Sequence, residues 1–303
     1  MNMIKTICLL GFGEVGSTLA IDLLQHSEAN IVAWDIQFAD SESLSNKRYA
    51  SIESSRLRKA SDTIDAVNSA DLVISAVTAQ QALPAAKSVI QNMTSQAWYL
   101  DLNSVSPGTK IELAEQLTQT GARFVEAAVM APIAPKRIAA PILLAGVHAG
   151  EFLPLARELG FSNMSVLSDN AGQAAASKMC RSVMIKGMEA LITEALLTAR
   201  HYDVEQSVLD SLNNLFPHPN WQAQSAYMIS RSLEHGVRRA EEMREVAKTV
   251  QEAEVDSWMS SACVERQQWA GELSYAKNNS DFESADLVKM LDTIRCCAAQ
   301  TSR

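Results

Sequence analysis

Ile7-Cys8-Leu9-Leu10-Gly11-Phe12-Gly13-Glu14-Val15-Gly16-Ser17-Thr18-Leu19-Ala20 sets three glycines, in the order G-x-G-x-x-G, between an apolar run and an amphipathic one. The apolar run reads as a buried strand, while Leu19, Ala20, Leu23 and Leu24 recur at helical spacing. Each glycine then has its own task. Gly11 turns the chain tightly off the strand, Gly13 lets backbone approach a pyrophosphate, and Gly16 lets the following helix pack closely on the sheet. Phe12, Glu14 and Val15 lie between them, where the first amides of that helix meet the anion. A second β-like run, Ile31-Val32-Ala33-Trp34, ends at Asp35, at the spacing where a carboxylate accepts from both hydroxyls of an adenosine ribose. Strand, glycines, helix and acid together predict a dinucleotide site and disfavour the alternative of a turn that binds nothing. Asp35 favours NAD over NADP, because a 2′-phosphate meets carboxylate repulsion there and Ile36 and Gln37 bring no cation. Lys47 and Arg48 are the cations positioned to fold back from the loop and weaken that preference.

Working outward, 303 residues with 47% hydrophobic and 20% charged side chains give room for two domains with substantial cores. The net charge of −9 opposes general affinity for nucleic acid or anionic membranes, so a small-molecule substrate is expected. No apolar stretch reaches membrane-spanning length. Ile7 to Leu10 is too short for a signal peptide and enters a glycine turn, which predicts a cytoplasmic protein. Cys8, Cys180, Cys263, Cys296 and Cys297 are scattered without CxxC or metal-site spacing, as in a reducing cytosol.

Further apolar runs at Ser69–Thr78, Trp98–Leu102, Arg123–Met130 and Pro141–Gly146 alternate with helical stretches such as Pro107–Gln119. That alternation predicts an α/β, Rossmann-type doubly wound sheet over residues 1–168, with ligands beyond the strand C-termini. Val77 and Thr78 at the C-terminal end of one run and Ser104 in the turn after the next strand are therefore expected to face the cofactor. From Asn170 the β-like runs vanish, and 169–303 reads as an all-α domain for substrate binding and dimerisation. A long interdomain helix runs from Asn170-Ala171-Gly172 to His201, a punctuated region surrounds Pro217-His218-Pro219, and a helix spans Gln222 to Val250. So much apolar helix is hard to cover within a domain of that size, which predicts a homodimer or tetramer.

Lys178 is the expected acid/base, since it sits in the first turns of the long helix where the two domains should meet. Desolvation and a nearby helix N-terminus favour the neutral amine, which suits a lysine for moving a proton during hydride transfer. A solvated lysine on an amphipathic helix is the alternative. Ser182 follows at i+4 and Glu189 at i+11. Arg231, His235, Arg238 and Glu242 share a face at i, i+4, i+7 and i+11, either as a cationic clamp for a small anionic substrate or as part of a solvated, salt-bridged helix. His148 and His218 read as loop and turn residues. No HExxH, paired-His or DxD spacing argues for a metal, and no GxSxG supports a hydrolase.

With the fingerprint, Asp101-Leu102-Asn103-Ser104 before Pro107, and Gly172-x5-Lys178 opening a long helix, the chain resembles the β-hydroxyacid dehydrogenase superfamily, which includes 3-hydroxyisobutyrate and 6-phosphogluconate dehydrogenases. The resemblance implies an NAD(P)-binding Rossmann domain, an all-helical C-terminal domain, a dimer or tetramer, and Lys178 as catalytic acid/base. Lys178–Leu191 and His235–Met243 look like a 6-phosphogluconate dehydrogenase-like branch with a poorly characterised C-terminal domain. Two departures leave the substrate open. The Asp-x-Pro-x-Ser-Gly-Gly substrate motif is replaced by Glu126-Ala127-Ala128-Val129-Met130-Ala131-Pro132, and the asparagine four residues after the lysine is replaced by Ser182. Oxidation of a 3-hydroxy acid is the leading expectation, with imine reduction or NAD sensing without turnover as alternatives.

Overall fold

The computed structural model describes residues 4–212, 220–275 and 287–301; the Pro217-His218-Pro219 turn lies outside them. Two compact units, Met1–Met179 and Cys180–Arg303, make up the chain.

The first unit runs β1 (Thr6–Leu10), α1 (Glu14–His26), β2 (Asn30–Trp34), α2 (Leu44–Ala50), β3 (Leu57–Lys59), α3 (Thr63–Val67), β4 (Leu72–Ser75), α4 (Ala82–Val89), β5 (Trp98–Asp101), α5 (Pro107–Thr118), β6 (Arg123–Val129), α6 (Ile133–Lys136), β7 (Ile142–Ala145), α7 (Ala149–Glu158) and β8 (Met164–Ser168). Its strands form one eight-stranded sheet in the order β3-β2-β1-β4-β5-β6-β7-β8. Both faces are covered, and the sequence alternates accordingly. Ile7, Leu9, Leu72, Ile74 and Leu100 enter one core, whereas Cys8, Leu10, Val73 and Tyr99 enter the other. Burial pushes the Cys8 thiol up to about 12, so it is a packing residue and not a nucleophile.

β1 to β6 pair in parallel, but β7 runs antiparallel to β6 and carries β8 with it. The connection from β6 to β7 holds only the single-turn α6 and a further 3-10 turn in place of a crossover helix, so the chain must return in the opposite direction. A short apolar run such as Ile142–Ala145 reveals a strand but not its direction, so the doubly wound sheet expected from the sequence stands with β7 reversed within it.

The second unit is helical: the remainder of α8 (Gln173–His201), then α9 (Glu205–Leu212), α10 (Trp221–Glu252), α11 (Trp258–Tyr275) and α12 (Leu287–Thr301). Leu196, Leu209, Ile229, Leu233, Leu273 and Leu291 anchor its core. α10 and α11 cross glycine against glycine. A Cβ on Gly236 would strike the backbone of Gln267 and Gly271, and one on Gly271 would strike the backbone of Val237. Beside the crossing, buried Arg239 of α10 pairs with buried Glu189 of α8. No described helix is long and apolar enough to cross a membrane.

Candidate active site

Because β1, β4 and β5 are parallel neighbours, their C-terminal ends lie in one row, with Leu10 opposite Ser75 and Ser75 opposite Asp101. The glycine loop, Val77-Thr78 and Ser104 therefore emerge along the same edge of the sheet.

The three glycines are needed for three different reasons. Gly11 has φ +99°, and a Cβ there would strike the carbonyl of Ala76; a Cβ on Gly16 would strike the carbonyl of Gly11. Gly13 is extended at φ −72°, and a Cβ built on it meets nothing within 4 Å. Neither backbone strain nor protein packing calls for glycine at 13, and the space beside it is open. Gly13 is also the N-cap of α1 and supplies no side-chain cap, which turns the first amides of α1, from exposed Glu14 through half-buried Val15, towards the same open space. These residues fit a dinucleotide pyrophosphate.

Asp35 follows β2 and is held on three sides. It accepts from the amide of Phe12 at 2.6 Å, the amide of Gln37 at 2.8 Å and the hydroxyl of buried Ser45 at 3.1 Å. The carboxylate is half-buried and preset beside the glycine loop, as a ribose acceptor must be. Phe12 contributes backbone, since its ring is buried in a cluster with Phe38 and Tyr49 at centroid distances of 5.8 and 5.9 Å. Of the cations that could have folded back, Lys47 lies 3.8 Å from Glu42.

Asn103 joins the other two loops. Its Oδ1 accepts from the Val77 amide at 2.7 Å, and its Nδ2 donates to Ser75 Oγ at 2.9 Å and to Asp101. Half-buried Ser104, the next residue, accepts from Lys178 Nζ at 2.6 Å. Lys178 thus reaches the sheet edge that carries Val77, exposed Thr78 and the glycine loop, and the reading of a fully solvated lysine is set aside.

Beneath that edge runs a buried polar row that sequence reasoning did not single out. Ser75, Asp101 and Glu126 are register neighbours on β4, β5 and β6, each fully buried. Lys110 of α5, 1% exposed, donates to Asp101 Oδ2 at 2.7 Å and to the Asp101 carbonyl at 3.0 Å. Glu126 accepts from the amides of Gly172 and Ala175 at the start of α8. Burial pushes the Glu126 carboxyl above its ordinary range, and the nearby Lys110 charge opposes that shift. The signal was present: a charge inside an apolar strand has to be paired.

The remaining expected residues lie in the second unit. Ser182 is buried one turn beyond Lys178 on α8. Arg231 Nη1 contacts His235 Nε2 and lies 3.4 Å from exposed Glu234. Arg238 donates to Glu242 at 2.6 Å, and Lys186 reaches the same carboxylate at 2.5 Å. The predicted cationic face is therefore interleaved with carboxylates. His148 begins α7 with its ring edge-on to Trp98. Among the described residues no group of three or more His, Cys, Asp or Glu side chains is placed to hold a metal.

Residues 6–151 match the NAD binding domain of 6-phosphogluconate dehydrogenase, and residues 199–270 match a domain of unknown function, DUF1932. A conserved hypothetical protein from Sinorhizobium meliloti 1021 is 32% identical over 98% of this chain and 97% of its own, with a TM-score of 0.76. A conserved protein of unknown function, described as structurally similar to 3-hydroxyacid dehydrogenases, is 28% identical over 88% of this chain and 97% of its own, with a TM-score of 0.68. Mycobacterium tuberculosis 3-hydroxyisobutyrate dehydrogenase shares the fold at 16% identity, with a TM-score of 0.66 over 97% of this chain and 100% of its own.

Proposed function

Because the chain belongs to the β-hydroxyacid dehydrogenase superfamily, in the 6-phosphogluconate dehydrogenase-like branch whose C-terminal domain has no assigned function, we propose that it is an NAD-dependent dehydrogenase of a small 3-hydroxy acid with Lys178 as acid/base. The observation that carries this reading is the contact of Lys178 Nζ with Ser104 Oγ at 2.6 Å, on the sheet edge where Gly13 leaves room for a pyrophosphate.

In this mechanism the first amides of α1 bind the pyrophosphate, and Asp35 accepts from the adenosine ribose, favouring NAD through charge repulsion of a 2′-phosphate. A bound nicotinamide supplies the hydride acceptor. As acid/base, Lys178 would take the proton of the substrate hydroxyl, and Ser104 would orient the amine by hydrogen bonding. Half-buried Arg231 and His235 are the candidates to hold the substrate anion, with Ser182 on the helix of Lys178 and with Arg238, whose charge Glu242 already matches, in a lesser role. Exposed Met184, Ile185 and Leu191 on α8 support a homodimer.

The test is a panel of hydroxy acids with NAD and NADP in parallel, read by absorbance of the reduced cofactor. Oxidation of a 3-hydroxy acid with NAD preferred is expected, and Lys178→Ala should lower turnover by about 10² to 10⁴ with NADH affinity retained. Wild-type turnover in Lys178→Ala would refute the acid/base role.

A further inference from the structure

Lys178 meets Ser104 only if the first turns of α8 are held at one place against the sheet. The residues that hold them are Glu126 and Gly172.

Glu126 interrupts the apolar strand β6 and is 0% exposed. A buried carboxylate needs donors, and both of its oxygens have them: Oε2 accepts from the Gly172 amide and Oε1 from the Ala175 amide. Those amides sit at the free N-terminus of α8, where no intrahelical acceptor exists. The carboxylate comes from a different element, so this cap also docks the helix on the sheet. Gly172, at φ +93°, adds a second anchor: a Cβ there would press on the Pro107 carbonyl at 3.2 Å and on Ile111 at 3.3 Å. The turn into α8 therefore lies against the first turns of α5, immediately after the loop that carries Ser104. Lys178 follows Ala175 by one helical turn and shares its face.

Lys110 offers a different account of Glu126, as a counter-charge. Yet the Lys110 ammonium is bonded to Asp101, through both carboxylate and carbonyl, whereas the hydrogen bonds of Glu126 go to α8. We propose that Glu126 is a positioning residue, which fixes the first turn of α8 through the Gly172 and Ala175 amides and so sets where Lys178 meets Ser104. The inference rests on the acid/base reading of Lys178 for its functional meaning, but its geometry can be tested without turnover.

The experiment compares Glu126→Gln, which keeps one acceptor oxygen, with Glu126→Ala, which keeps none. Amide hydrogen exchange is followed peptide by peptide, the labelling rate of Lys178 by reductive methylation is measured, and NADH is titrated by fluorescence. Exchange over residues 172–178 should quicken about tenfold or more in Glu126→Ala and by less in Glu126→Gln, while peptides of β1 and β4 keep wild-type exchange. Lys178 labelling should change in the same order, with the NADH Kd within about twofold of wild type. Once a substrate is known, kcat should fall in that order with little change in KM. If only Glu126→Gln folds, its exchange over 172–178 and its Lys178 labelling decide alone. Wild-type exchange and labelling in the folded variants would overturn the proposal, and so would faster exchange spread evenly over the sheet. The acid/base reading fails separately, through turnover in Lys178→Ala, and leaves the exchange result standing.

Discussion

Replacing each fingerprint glycine by alanine should give two distinct phenotypes. At Gly13 the backbone is extended and a Cβ meets no atom within 4 Å. Alanine is a poorer N-cap than glycine, but it also lowers the entropy of the unfolded chain, so the net change in stability should stay within about 1 kcal/mol. For a domain of this size that is a Tm shift of roughly 2–4 °C. Binding should suffer far more. The new methyl stands where phosphate oxygens approach the α1 amides, and each charge-assisted hydrogen bond lost is worth about 1.5–3 kcal/mol. Losing one or two costs about 1.5–6 kcal/mol, or roughly tenfold to more than 10⁴-fold in NADH Kd. Gly11→Ala is the opposite case. Its φ of +99° costs a side chain about 1–2 kcal/mol, and the contact with the Ala76 backbone adds overpacking of about 1–3 kcal/mol. Gly16→Ala should behave similarly, through the Gly11 carbonyl. Thermal melts without cofactor and NADH titration by fluorescence separate the two effects. NADH binding in Gly13→Ala within twofold of wild type would refute the placement of the pyrophosphate, and a loss of Tm as large as in Gly11→Ala would refute the claim that position 13 is free of protein contacts.

Two further outcomes follow from charge. Asp101→Asn leaves the Lys110 ammonium buried without its carboxylate, and urea unfolding should show a loss of about 3–5 kcal/mol. Surface charge behaves differently: Arg58 holds the Asp65 carboxyl at about 2, below its ordinary 3.8. A carboxyl depressed by folding contributes stability above its unfolded value, so this contribution is present at neutral pH and lost as pH falls from about 4 towards 2. Carboxyl NMR titration of Arg58→Met should return Asp65 towards its ordinary value, and an unchanged titration would remove Arg58 as the cause.

What the sequence made legible is local. Gly11, Gly13, Gly16 and Asp35 lie within one βαβ unit, where a few turns of chain fix the geometry, and the spacing read together with the strand and helix around it points to a dinucleotide site. Lys178 could be suggested from the opening of a long helix, but its meeting with Ser104 depends on a tertiary contact between distant segments. The polar row Ser75, Asp101 and Glu126 was hidden for the same reason. Each residue is one polar position at or within an apolar strand, and its meaning appears only when register places them side by side. Gly236 and Gly271 look in sequence like helix-interior glycines that cost about 1 kcal/mol apiece; the close crossing of α10 and α11 supplies the reason for them.

The structure also sharpens why substrate identity cannot be carried over from relatives. Where the family motif places a serine hydroxyl and glycine amides, this chain has Met130, Ala131 and Pro132. Met130 spends its amide on the Pro141 carbonyl at 2.9 Å, and a proline has no amide to offer. The segment that follows is tied to α1. Arg137 donates to Asp22 through Nε at 2.8 Å and Nη2 at 2.7 Å, and the Ile138 amide bonds the same carboxylate at 3.0 Å. The serine hydroxyl is thus replaced by a thioether and the second glycine amide by a closed ring, while Ala131 keeps its amide. On the proposed reading the chemistry at the carbinol carbon is the family's own, whereas the family's serine donor for the acid group is absent from this segment. A substrate panel that varies the distance between acid group and hydroxyl, and not only the alkyl substituent, therefore tests whether the family's substrate class carries over.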